Sequence, residues 1–165
     1  MRKNIITKLL ILSTTLTLSS FYVSANSHSE KPKANSEKQA STAVTFRKSL
    51  LQLVRSNMGP LGAMAKGNIP MDADTIALNA QRIEFLGGMM HDYFALETTG
   101  YDVETGSKDI IWKEYKDFSE KADDMVAAAA NLQELVANNE ESKFRSGIGS
   151  LGSTCKACHD KFKKD

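Results

Sequence analysis

The 165-residue sequence predicts an all-α fold, an antiparallel four-helix bundle. Three observations carry that expectation. Apolar residues recur at steps of three and four in four separate blocks. No block alternates apolar and polar residues as a half-buried strand does. Turn residues mark the breaks between blocks: Gly67 and Pro70, then Gly100 and Gly106, then Asn138-Asn139.

Residues 1–25 read as a secretory signal rather than as part of the bundle. Arg2, Lys3 and Lys8 form a positive front, Leu9 to Leu18 an apolar run, and Val23-Ser24-Ala25 a small-residue cleavage site. The run is too short for a comfortable membrane span, so cleavage after Ala25 is expected, with an exported, periplasmic product and no stable membrane insertion. Processing removes three basic and no acidic residues and takes the formal charge from +1 to about −2, which argues against nucleic acid as a partner. Residues 26–41 are mainly Asn, Ser, Glu, Lys and Pro, and are expected to be a disordered leader. Residues 42–165 then form one domain.

The first block, about Thr42 to Lys66, carries the line Val44, Arg47, Leu51, Val54, Met58, Leu61, Ala65. Arg47 is out of place on it, because an unpaired charge in an apolar stripe is costly. Either its head snorkels to water near the helix start, or it meets an anion at the rim. Gly59-Pro60 is a candidate kink. In the second block Asp72 or Asp74 caps a helix lined by Ile76, Ala80, Ile83, Gly87, Met90 and Phe94, with Met89 and Tyr93 widening the face. Gly87-Gly88 would weaken an isolated helix, so a close packing partner is expected there. The segment from about Thr98 to Asp109 is long for a helix-helix connection.

The third block is an unbroken 4-3-4-3 line: Ile111, Tyr115, Phe118, Ala122, Met125, Ala129, Leu132, Val136. Lys113, Glu114, Lys116, Glu120, Lys121 and Asp123 lie off it and read as a solvated face. The fourth block follows Asn138-Asn139 as a cap, with Glu140 and Glu141 in its first turn. Its line is Phe144, Ile148, Leu151, Cys155, Cys158, Phe162, which sets both cysteines at core positions.

Those cysteines are the only two in the chain, and they belong to Cys155-Lys156-Ala157-Cys158-His159. C-x-x-C-H is the attachment signature of c-type haem: the thiols bond the porphyrin and the histidine is an axial iron ligand. The spacing suits a helix. Cys155 and Cys158 face one side, and His159 stands on a neighbouring line. Other readings of C-x-x-C fit less well. A thioredoxin-type pair belongs near a βαβ pattern, a closed zinc site needs four ligands where only His28 and His91 remain, and an i,i+3 pair in a helix has poor disulfide geometry. Gly149 and Gly152 precede the motif at three-residue steps, and would let a flat partner approach the backbone; simple tolerance is the plainer account.

The chain resembles the class II c-type cytochromes, specifically the cytochrome c′ family, from about Val44 onward. Phe46-Arg47-Lys48-Ser49-Leu50-Leu51, Ile111-Trp112 and the Gly149-x-x-Gly152-x-x-Cys155-Lys156-Ala157-Cys158-His159-Asp160 run carry the resemblance. It implies one covalent haem c per chain, thioethers at Cys155 and Cys158, and iron ligation by His159. It implies Arg47 and Lys48 beside the haem propionates, Leu51 over the distal face, and Lys163 near the proximal histidine. Leucine cannot ligate iron, so the resemblance implies a five-coordinate, high-spin iron under an apolar lid. It also implies a homodimer joined through the first two helices.

Such a haem suits nitric oxide and carbon monoxide, and can pass one electron to a partner protein that the sequence does not identify. The expected function is therefore electron transfer, gas binding or both, with no catalytic residues. An enzyme, such as a peroxidase or nitric oxide reductase, is the alternative. It lacks a polar distal group, with His91 the best remaining candidate base. A haem-free dithiol bundle is the third reading. Met58, Met64, Met89, Met90 and Met125 fit core packing better than iron ligation.

Overall fold

The structure, a computed structural model, describes residues 31–164. The expected signal and the cleavage point after Ala25 lie outside the described residues. Among the described residues six helices follow in order: α1 (Glu37–Ala65), α2 (Ala73–Gly88), α3 (Met90–Ala95), α4 (Ile110–Lys113), α5 (Tyr115–Ala137) and α6 (Glu141–Phe162). The four long ones pack in a ring, α1 on α2, α2 on α5, α5 on α6 and α6 on α1. Cross-helix contacts fix the antiparallel sense. Going up α5, its residues meet ones successively lower on α2, Gly87 beside Val126 and Glu84 bonded to Gln133.

The second and third sequence blocks are each one helix with a local break, at Met89 and at Glu114. Asp72 caps α2 as expected, its carboxylate accepting the Thr75 N–H at 2.7 Å. α1 continues through Pro60 to Ala65.

Three expectations are corrected. α1 begins at Glu37, inside the stretch expected to be unstructured. Ser36 accepts the Gln39 N–H at 3.3 Å, and Ala40 is wholly buried. Upstream, Ala34 N–H donates to Glu97 O at 2.8 Å and Glu97 N–H to Pro32 O at 2.7 Å, so backbone pairing orders a segment that has few apolar side chains. At the other end of the chain, Asn138-Asn139 is not the cap of α6. Asn138 closes α5, Asn139 turns the chain at φ 55°, and Glu140 precedes α6 without a side-chain capping bond. Asparagine suits that turn because it tolerates the left-handed region.

The third correction is the phase of α1. Its buried stripe runs through Ala40, Val44, Arg47, Leu50, Val54, Asn57, Leu61 and Met64. Leu51, Met58 and Ala65, one position further on, are less buried. Met89 and Tyr93 are likewise exposed rather than part of the interior. The lines on α5 and α6 hold: Phe118, Ala122, Met125, Ala129 and Leu132 face Phe144, Ile148, Leu151 and Phe162 across the core.

Gly87 explains the close approach of α2 to α5. A Cβ there would lie 2.8 Å from Val126 Cγ2 and 3.0 Å from Met125 Cε, whereas one at Gly88 would meet nothing. The long connection from 96 to 109 is stitched down. Besides the Glu97 pairing, Lys108 N–H donates to Phe162 O at 2.9 Å and Lys164 N–H to Gly106 O at 2.8 Å. No helix among the described residues is long and apolar enough to cross a membrane.

Candidate cofactor-attachment site

The attachment motif occupies the last turns of α6. Leu151 and Phe162 anchor that helix in the core, and the residues between them inherit its phase. Cys155 and Cys158 therefore sit half-buried against the core cluster, while His159 is exposed one position on. Both cysteines are free thiols. Burial pushes the Cys158 thiol up to about 11, with the neighbouring Cys155 adding to the effect. Burial raises Cys155 as well, and its Sγ donates to Leu151 O at 3.7 Å. Both are thus neutral at physiological pH.

The His159 ring makes no hydrogen bond or ion pair with the described residues, and Lys163 N–H closes the helix on the His159 carbonyl at 3.1 Å. The other described histidine differs. His91 Nε2 lies 2.7 Å from Asp123 Oδ1, so the candidate distal base of an enzyme is engaged in a hydrogen bond between α3 and α5. Backbone at Gly149 and Gly152 is open, with nothing within 4 Å of a built Cβ. Two thiols on one helix face, an unengaged imidazole beside them and bare backbone one turn before form a donor set that fits a covalently attached haem.

Among the described residues, no side-chain hydrogen bond or ring contact joins Arg47, Lys48, Leu51 or Lys163 to the side chains of the motif. Arg47 is only 2% exposed, and its guanidinium is turned to the C-terminal end of α3. Its Nε donates to Tyr93 O at 2.8 Å, one terminal nitrogen to Thr98 Oγ1 at 2.9 Å, and the other to Leu96 O. The rings of Phe94 and Trp112 each lie 5.1 Å from its central carbon. Burial lowers its pKa to about 10, still charged at neutral pH. Lys48 is solvent-exposed, Leu51 is 37% exposed, and Lys163 Nζ donates to the Lys164 carbonyl. Of the methionines, Met64, Met90 and Met125 pack in the core, Met58 is half-buried and Met89 is exposed.

One group beside the motif escaped the sequence reading. Lys161 bridges Glu114 and Asp117, the latter at 2.6 Å, and Lys121 lies 3.7 Å from Asp117. The Asp117–Lys121 spacing of four was legible as a helix pair. Lys161 crosses from α6, and only the fold brings it there.

The family model described as Cytochrome C′ matches residues 42–163. The chain belongs to the cytochrome c′ family. It is 33% identical over 127 residues to the cytochrome c′ of Halomonas halodenitrificans, covering 74% of this chain and 96% of that one. Among solved structures, cytochrome c prime from Shewanella frigidimarina superposes with a TM-score of 0.68 at 29% identity, over 76% of this chain and 97% of the other. A nitric oxide complex of a mutant of cytochrome c prime from Alcaligenes xylosoxidans matches with a TM-score of 0.66 at 26% identity, over 76% and 96%. As a cytochrome c′, the chain is an electron-transport haem protein that carries covalent haem c.

Proposed function

We propose that this cytochrome c′ works in the periplasm, after cleavage behind Ala25, as an electron carrier that also binds nitric oxide and carbon monoxide. The observation that carries the reading is the unengaged imidazole of His159 beside two neutral, half-buried thiols. In this reading Cys155 and Cys158 hold the thioethers and His159 the iron. The bound haem supplies a one-electron couple and an axial position for a diatomic gas. Leu51 is apolar and accessible on α1, and is the side chain assigned to the distal face. It offers no proton and no hydrogen bond, which favours weakly polar gases over water and anions. Arg47 and Lys48 keep their assignment to the propionate side. For Arg47 this is a second use of a guanidinium with five donors, three of which already have acceptors.

No enzymatic role is proposed, since His91 is occupied by Asp123 and Leu51 has no acid-base chemistry. A homodimer is supported by a set of exposed apolar side chains on the first two helices: Phe46 and Leu53 on α1, Leu78 and Phe85 on α2.

The test is an optical titration of the purified protein with carbon monoxide and nitric oxide, alongside Leu51→Ala. A high-spin spectrum and saturable gas binding are expected, with faster gas binding in the variant. A low-spin, six-coordinate spectrum, or a variant with unaltered binding, would remove Leu51 from the distal face.

A further inference from the structure

Resting on the assignment of haem to Cys158, we propose that Asp117 and Lys121 of α5, tied in place by Lys161 of α6, set the reduction potential of the iron. Lys161 stands three residues after Cys158, on the same face of α6, and its ammonium reaches the α5 pair Asp117 and Lys121 through Asp117. The two lie one helical turn apart on the same face, 3.7 Å between their charged atoms. Lys161 reaches across from the attachment helix to the same Asp117 carboxylate at 2.6 Å, and to Glu114 at the break between α4 and α5. The group therefore balances two carboxylates with two ammoniums at the edge where the porphyrin is attached.

As stabilising elements these are surface ion pairs, individually weak. Their electrostatic effect on a neighbouring redox centre is a different matter. Ferric iron carries one more positive charge than ferrous iron. A nearby carboxylate therefore favours the oxidised form and lowers the potential, and an ammonium raises it. Half-burial of the sulfur keeps solvent from screening one side of that interaction. Lys161 acts as a positioning residue: it holds Asp117 against the attachment turn while offsetting its charge.

The sign separates this role from a structural one. Losing a stabilising ion pair lowers stability whichever partner is removed, whereas the potential must move oppositely. The experiment is spectroelectrochemical titration of the holoprotein and its variants, with a pyridine haemochrome assay on each. Asp117→Asn should raise the midpoint potential, Lys121→Gln and Lys161→Gln should lower it, and Lys161→Arg should return it close to the unsubstituted value. The shifts should shrink as salt is added. Midpoints that stay unchanged, or that move together in Asp117→Asn and Lys121→Gln with haem attached, would overturn the proposal. A haemochrome assay showing no covalent haem in the unsubstituted protein would instead bring down the assignment beneath it.

Discussion

A guanidinium buried among apolar side chains costs several kcal/mol unless its donors find acceptors. Arg47 finds three, all in the stretch Tyr93–Thr98, where a helix end leaves carbonyls without partners. Its charge thus serves the fold by closing α3. Arg47→Met, which keeps the stem and removes the donors, should lose about 2–4 kcal/mol by leaving buried carbonyls unsatisfied. Urea denaturation followed by circular dichroism checks this, and a variant as stable as the parent would show that Arg47 is not the closure. The sequence exposed the anomaly of a charge on an apolar line. It did not expose the acceptors, because a carbonyl at a helix end leaves no trace in residue type. For the attachment motif the opposite holds. The chemistry proposed for Cys155, Cys158 and His159 depends only on spacing within a single turn, which the sequence displays.

At the scale of the element, the four blocks were legible because periodicity averages over many residues, while the boundaries depended on single bonds. Asp72 is the cap that composition identified, and the hydrogen bonds from Thr75 hold its carboxyl below the ordinary 3.8. A depressed carboxylate stabilises the fold above its ordinary pKa, and that contribution is lost as pH falls through the lowered value. Asp72→Ala should therefore melt several degrees lower at neutral pH, with the gap to the parent closing in acid. A gap independent of pH, read by thermal melts across that range, would assign the difference to something other than the charge. Gly87 makes a second contrast. Alanine favours helices over glycine by about 1 kcal/mol, so Gly88→Ala should stabilise α2. At Gly87 the added methyl meets Val126 Cγ2 at 2.8 Å, and overpacking of about 1–3 kcal/mol should outweigh the gain. Paired denaturation curves decide it, and stabilisation at both sites would mean that α2 can move off α5. The start of α1 was missed for a related reason. Ala34 and Ala40 are too small to mark an apolar stripe, yet both are buried.

Across the whole molecule, the first two long helices leave large apolar side chains in solvent. Phe85, 70% exposed, is the largest contributor on α2, and Leu78 stands two turns before it. These exposed apolar groups are what the proposed homodimer would cover. Sedimentation of the holoprotein should give twice the chain mass, and Phe85→Glu should return it to a monomer with an unchanged absorption spectrum. A parent that sediments as one chain would remove the homodimer from the functional reading. Were the chain cleaved behind Ala25 as proposed, its formal charge of about −2 would give it no attraction to nucleic acid.

The long connection between α3 and α4 is gripped from two directions. Residues 32–34 pair with Glu97, and the backbone at the end of α6 and just beyond it pairs with Lys108 and Gly106. A span of this length is ordinarily the first place a protease enters. Here the accessible window narrows to the stretch around Gly100–Glu104, since a scissile strand must be pulled free to fit a cleft. Limited digestion should nick the chain there, if anywhere, and the halves on either side should stay associated through the bundle. The same lacing warns against inserting bulk directly behind Lys164, because it would load the turn that presents the imidazole of His159.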